Sequence, residues 1–252
     1  MMTTPSANHS LSTLWDAFDQ IYCISLAQRT DRRQQAEREF ARVGLAGRVR
    51  FIVVQKHPTD SEEGIFNSHM ACLRAALAAD AQKIVIFEDD IHFRRFSPKI
   101  LGDATQFMKA DADWQHFFFG CFVKSSRTTA WPSVLNVRYR CAAHAYVVHR
   151  RFAEKLVQIP WQGTAYDDLL RSFDAGQFYA CYPTFGFQSG SSTDNNKTAA
   201  LDRIIRLLGG SPRLQRWDEF SKHHILRLIG AHVLAALLIV LLLLLHMSRL
   251  SF

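Results

Sequence analysis

The stretch KIVIFEDDIHF, residues 83–93, carries four apolar residues, Ile84 to Phe87, straight into Glu88, Asp89 and Asp90. Three carboxylates at the end of a buried strand repel one another unless a cation, a basic side chain or water meets them. Such a triplet has three uses. It can cap the segment that follows, which needs no ligand. It can form the acid pocket of a phosphoacceptor domain, but that chemistry needs a further Asp at a later strand end, and none stands between Asp113 and Asp167. It can hold a divalent cation that neutralises a diphosphate, and hard oxygen ligands suit Mg2+ or Mn2+. On an extended strand end alternate residues point the same way, so Glu88 and Asp90 would aim at one ion with Asp89 nearby.

The elements that must position this triplet follow from hydrophobic periodicity. IYCISL, 21–26, reads as a buried first strand, and the RTDRRQQAEREFARVGL stretch after it as a helix stopped by Gly44. RVRFIVV, 48–54, is a second strand. IFNSHMACLRAALAAD, 65–80, is a helix rich in Ala and Leu, with Asn67 or Ser68 near its start. KIVIF is the third strand, WQHFFFGCFV, 114–123, the fourth, and CAAHAYVVHR, 141–150, the fifth. A short helix, 151–160, ends at Pro160, and 178–188 is a last extended piece. Strands alternating with helices predict an α/β fold with a mostly parallel central sheet, whose ligand sits at the carboxyl ends of the strands. The acid triplet is at such an end.

About half of the 252 residues are hydrophobic (48%), enough for one sizeable core, and the formal charge is +7. The basic residues gather in 29–50 and 203–227, without a recognised nucleic-acid motif, which argues against nucleic acid as the partner. Five scattered cysteines, Cys23, Cys72, Cys121, Cys141 and Cys181, form no CxxC pair and read as reduced core thiols. Residues 1–18 are polar and expected to be a flexible N-terminus, and no signal peptide is legible there. Residues 201–227 alternate apolar and basic types, which predicts a segment lying on anionic lipid headgroups. LIGAHVLAALLIVLLLLL, 228–245, is apolar except for His232 and predicts a C-terminal membrane helix. The basic residues before it place residues 19–200 on the cytoplasmic face of the inner membrane.

An ordered set of short motifs links these pieces: ISLAQRTDRR (24–33), GIFNSH (64–69), IFEDDIHF (86–93), CAAHAYVVHRRFAEKL (141–156) and YDDLL (166–170). Together they resemble glycosyltransferase family 25, the group of lipooligosaccharide β-galactosyltransferases and collagen galactosyltransferases. The resemblance covers roughly residues 21–190. It implies a GT-A-like nucleotide-sugar fold and inverting transfer of a sugar, usually galactose from UDP-galactose, to a glycan or glycolipid acceptor such as lipopolysaccharide. By the matching positions, Glu88 and Asp90 with Asp89 nearby would bind Mn2+ or Mg2+. Ser25 lies at the end of the first strand and Arg29, Arg32 and Arg33 just after it, where the nucleotide binds in such folds, and an Arg there suits diphosphate oxygens. Ser68 and His69 would hold an anion at a helix start. Inversion needs a base for the acceptor hydroxyl. Asp168 matches the family's Asp before an apolar pair, with Asp167 as its neighbour and substitute. Gln188 would line the site, and His144 or Asp194 would be a further metal ligand.

The sequence also departs from the family pattern. Ser25 stands where the family has Asn, Ala142-Ala143 where it has Gly-Thr, and Val54-Gln55-Lys56 where relatives carry an acidic residue with alanine. These departures sustain an alternative, a degenerate transferase that serves as a membrane-anchored scaffold or a glycan- or nucleotide-binding protein. The intact acid triplet and Asp168 favour the enzyme.

Overall fold

The computed structural model describes residues 11–189, 210–224, 229–230 and 232–239. Its centre is a six-stranded sheet in the order β2-β1-β3-β6-β5-β7, with β1 Gln20–Leu26, β2 Arg50–Val54, β3 Lys83–Glu88, β5 His116–Thr128, β6 Val134–His149 and β7 Phe178–Cys181. A small second sheet pairs β4, Ile91–Phe93, with β8, Gly186–Gln188. Helices α1 Thr30–Arg42 and α3 Pro98–Ala110 cover one face of the central sheet, and α2 Ser61–Ala78, α4 Arg150–Leu156 and α5 Tyr166–Phe173 the other. Helix α6, Ser211–His223, packs against β5 and β8.

β3 shows why the sheet is buried on both sides. Val85 and Phe87 join a cluster with Trp15, Phe40, Leu101 and Phe119. Ile84 and Ile86, pointing the other way, join Tyr22, Leu73, Tyr146 and Phe152. The alternation of a strand thus feeds two cores at once. Trp15 is fully buried, so residues 11–18 of the segment expected to be flexible contribute to the first of these cores.

The sheet is mixed, not mostly parallel. β1 runs parallel to β2 and β3, and β5 parallel to β7. β6 is antiparallel to β3, β5 and β7. The cause is local: only residues 129–133 separate β5 from β6, and so short a connection can only return the chain as a hairpin. Both strands extend beyond the fourth and fifth strands expected from the sequence, with register shifts between Phe118 and Ser125 where the ribbon bends.

The expected C-terminal membrane helix is not supported either: among the described residues no helix is long and apolar enough to cross a membrane. Of 228–245, the described positions 229–230 and 232–239 are helical, and the rest lies outside the described residues. The basic stretch 201–227 is described only over 210–224, where α6 buries Pro212 and Gln215 against the domain and leaves Trp217 and Phe220 exposed.

Candidate active site

β1 and β3 lie side by side and parallel, so Ser25, the loop after Leu26 and Glu88 meet at one edge of the sheet. β3 ends at Glu88 and the chain turns at Asp89 and Asp90 into β4. The turn, not strand alternation, therefore sets how the two carboxylates stand to each other, and the Glu88 charge is felt at Asp90. Asp89 is buried, its amide donates to Ile24 O (3.0 Å), and its Oδ1 pairs with Arg32 of α1 at 3.4 Å. Asp90 is held through its backbone, where Ser189 N donates to Asp90 O at 2.6 Å. Glu88 keeps 31% of its side chain open, so solvent reaches it from one side while protein encloses the others. Gln188 of β8 donates to Glu88 Oε2 at 3.4 Å.

Asp89 Oδ2 and Asp90 Oδ1 are buried without a hydrogen-bond partner. Burial, together with the neighbouring carboxylates, pushes Glu88 and Asp90 well above the usual carboxylate range, and burial raises Asp89 too despite Ser25 and Arg32. Fully ionised, the turn would carry more negative charge than the described residues neutralise.

The far wall comes from α2, β6 and α5. Helix α2 starts earlier than its composition suggests, because Asp60 caps it by accepting from Glu62 N (2.9 Å) and Glu63 N (3.5 Å). Ser68 and His69 consequently lie within the helix and not at its N-terminus. Ser68 Oγ donates back to Gly64 O at 2.6 Å, so the expected anion contact at a helix start is not formed. His69 is buried, with Nε2 3.6 Å from Glu88 Oε1 and Nδ1 2.7 Å from the Tyr146 hydroxyl. Its ring stacks on Tyr166 at 4.1 Å, and Tyr146 bonds Tyr166 at 3.1 Å. Burial lowers the His69 pKa to about 4, so the imidazole is neutral at pH 7.

The two α5 carboxylates have different surroundings. Asp167 accepts from the Tyr139 hydroxyl, from Ala142 N (3.0 Å) and from Ala143 N (3.3 Å). It thereby fixes the bend of β6, where Ala142 adopts a left-handed φ of 70°. Asp168 is half exposed and pairs with Arg171 one turn along. The charge of Asp167 is felt at Glu88 and His69.

The family model described as glycosyltransferase family 25 (LPS biosynthesis protein) matches residues 47–170. The chain carries a glycosyltransferase family 25 domain. It is a glycosyltransferase. No curated protein matches it. Three solved structures are similar in outline. They are A197 from STIV (11% identity, TM-score 0.43, covering 68% of this chain and 85% of that one), a glycosyltransferase involved in the glycosylation of the major capsid of PBCV-1 (14%, 0.39, 64% and 81%), and mannose-1-phosphate geranyltransferase from Thermus thermophilus (7%, 0.39, 66% and 74%). At TM-scores under 0.5 these likenesses decide nothing about substrate or mechanism.

Within the transferase the family-matched segment contains Ser68, His69, Glu88, Asp89, Asp90, Asp167 and Asp168. The fold adds Ser25, Arg32 and Gln188 from outside it. Arg29 lies beside this edge with only 15% of its side chain open, and its guanidinium is bidentate to exposed Asp31 (both contacts 3.0 Å). Arg33, at first sight another anion ligand, instead ties down Ser25 Oγ, Leu26 O and Ala27 O. Among the described residues no three His, Cys, Asp or Glu side chains group to hold one metal ion, and Asp89 is paired with Arg32. Of the further metal ligands considered, His144 lies with its two ring nitrogens against Ala142 O (3.0 Å) and Gly186 O (3.2 Å), and Asp194 lies outside the described residues. Tyr146 and Tyr166 stand inside the motifs at 141–156 and 166–170 with no role assigned to them there, and Tyr139 stands in none. The available hint was the apolar company of 139 and 146 within β6, where both turn inward.

Proposed function

We propose that the transferase moves a sugar, galactose on the family resemblance, from a UDP-sugar to a glycan acceptor of the lipopolysaccharide kind, with inversion and with a divalent cation. The observation that supports this reading is the surplus of negative charge at the turn after β3. Among the described residues two buried carboxylate oxygens there lack partners, and Arg32 pairs with Asp89 rather than with Glu88 or Asp90. Mn2+ or Mg2+ fits this donor set of hard oxygens. Such ions are commonly held by one or two carboxylates, with substrate phosphates and water completing the shell. Asp90 and Glu88 would hold the ion, and Asp89 would stay with Arg32. When bound, the cation supplies positive charge to the leaving diphosphate.

The chain's own groups divide the remaining work. Ser25, Arg29 and Arg32 border the nucleotide side at the end of β1. Gln188 orients Glu88. Asp167, with three donors on its carboxylate, is committed to shaping β6. Asp168, half exposed and engaged only at the surface, is the proposed base for the acceptor hydroxyl.

The test is binding of a UDP-sugar panel to the full chain with Mn2+, with Mg2+ and with chelator, beside Asp90→Asn. Metal-dependent binding of one donor, lost in the variant, is the expected result. Equal binding in chelator, or no binding by the folded protein with either ion, overturns the proposal.

A further inference from the structure

Helix α6 lies outside the family-matched segment, yet its buried polar residues grip the strand that reaches the acid turn. Gln215 is 1% exposed. Its Nε2 donates to Gly186 O at 2.9 Å and approaches Thr184 Oγ1 at 3.5 Å. Glu219 accepts from Thr184 N and pairs with Arg95 at 2.8 Å, and Arg95 also reaches Thr184 O at 3.3 Å. Thr184 Oγ1 in turn donates to Phe119 O at 2.6 Å. The segment 184–186 is thereby held from α6 on one side and β5 on the other. The fit leaves no slack: a Cβ on Gly120 would sit 1.8 Å from Gly186 O, and one on Gly186 would sit 2.9 Å from the Ala145 Cβ.

What this segment carries is decisive. Two residues beyond Gly186 is Gln188, bonded to Glu88, and the next amide, Ser189 N, donates to Asp90 O. Two of the three acidic residues therefore receive a contact from the segment whose carbonyl at Gly186 is held by Gln215 from α6 and by His144 from β6. Stability alone does not explain an amide at 215. Gln215 Oε1 is buried without a partner, and a half-satisfied polar group in a core is worse than an apolar side chain of the same size. A Met there would remove the orphan oxygen. It would also leave the Gly186 carbonyl to His144 Nε2 alone, at 3.2 Å.

We infer that Gln215 of α6 is a positioning residue of the transferase: by holding Gly186 it sets β8 so that Gln188 and Ser189 meet Glu88 and Asp90. This rests on the acid turn being the donor site proposed above. Helix α6 is thus part of the active centre although it donates no side chain to it.

A double-mutant cycle on the full chain, crossing Gln215→Met with Gln188→Ala, tests this through kcat/KM for the UDP-sugar and through hydrogen exchange of the Gly186–Ser189 amides. Gln215→Met is expected to keep its Tm or raise it, to lose about tenfold in kcat/KM, as small misplacements of a site do, and to add little to the loss caused by Gln188→Ala. The Ser189 amide is expected to exchange faster while β3 amides do not change. Asp218→Ala, which removes the acceptor of Val123 N (2.9 Å), serves as control, lowering Tm without moving KM. Additive losses in the cycle, parent-like kcat/KM in Gln215→Met, or unchanged exchange at Ser189 would overturn the inference. If the parent uses no UDP-sugar at all, the donor reading fails by itself, and the exchange measurement still decides whether Gln215 sets β8. Should Gln215→Met not fold, Glu219→Ala, which removes the acceptor of Thr184 N and so frees the same loop, carries the same expectation at smaller size.

Discussion

Asp167 and Asp90 are both carboxylates near the carboxyl-end edge of β3, and the fold treats them in opposite ways. Asp167 has a hydroxyl and two backbone amides on its oxygens. Asp90 has a buried oxygen with no partner and a pKa pushed well up by burial and by Glu88. A carboxylate whose lone pairs are filled by its own chain is a fastener. One left unfilled at a cost in free energy is kept for something that arrives from outside. The contrast separates scaffold from site more sharply than position in a motif does, since both residues belong to the motifs that resemble family 25.

The contrast breaks most visibly in activity. Asp90→Asn should lower kcat by about a hundredfold or more, in the range seen when one electrostatic partner of a transition state is removed, while Tm holds or rises because the amide, like the protonated acid, brings no charge against Glu88 and cannot acquire one as pH rises. A variant that loses activity together with its fold would place Asp90 among the fasteners. Asp167→Ala should do the reverse and act first on stability. It leaves the buried Tyr139 hydroxyl and two amides of β6 unmet, at about 1–3 kcal/mol for each buried group left unsatisfied, so denaturant unfolding should show a loss of several such steps. Activity measured well below the new midpoint should fall less than for Asp90→Asn.

How much of this is legible in the sequence depends on range. β1, β3 and the acid triplet are readable because each is a local pattern, an apolar run or a run of like charges. The direction of β6 is not, because helix-strand alternation suggests parallel strands and nothing announces that residues 129–133 close a hairpin. The start of α2 turns on a single capping residue, Asp60, in a loop that looks merely polar. The partners that define the site lie far apart in sequence: Arg32 with Asp89, Gln188 with Glu88, Tyr139 with Asp167. No spacing rule reaches across those intervals; only the sheet order does. Asp168 is singled out by its motif, and its open position at the surface becomes visible only with α5 in place.

His116 extends the comparison into the core. It is fully buried, neither ring nitrogen has a partner, and it stacks between Phe118 (4.2 Å) and Tyr146 (4.5 Å). Burial holds its pKa well below the ordinary value, so it is neutral. Unlike Asp90 it has no opening toward solvent and no companion charges, and nothing in the structure gives it a ligand. His116→Phe should therefore stabilise the protein by about 1 kcal/mol, the scale of one unmade buried hydrogen bond, without altering kcat. Destabilisation by the larger ring would show that a tight fit outweighs the unmet nitrogens.

The smallest effect is the pH dependence of the metal-free protein, and its sign distinguishes the two kinds of buried group. Glu88 and Asp90 have folded pKa values raised, to about 8, above the ordinary 4.5 and 3.8. Between those limits the folded state binds more protons than the unfolded one, so their contribution is full at low pH and is lost as pH rises toward 8. His69 and His116 are shifted down from 6.5, so their unfolded forms take up protons first and stability falls as pH drops below 6.5. The two trends oppose each other below 6.5, but above it only the carboxylates act. Tm measured from pH 6.5 to 8 should therefore decline in chelator. The decline should be shallower in Asp90→Asn, which removes one of the two groups, and shallower again when Mn2+ is added to the parent, because a bound cation favours the ionised carboxylates. A slope that ignores both the variant and the cation would mean that the carboxylates of the turn are already balanced within the chain, and the contrast between Asp90 and Asp167 would lose its meaning.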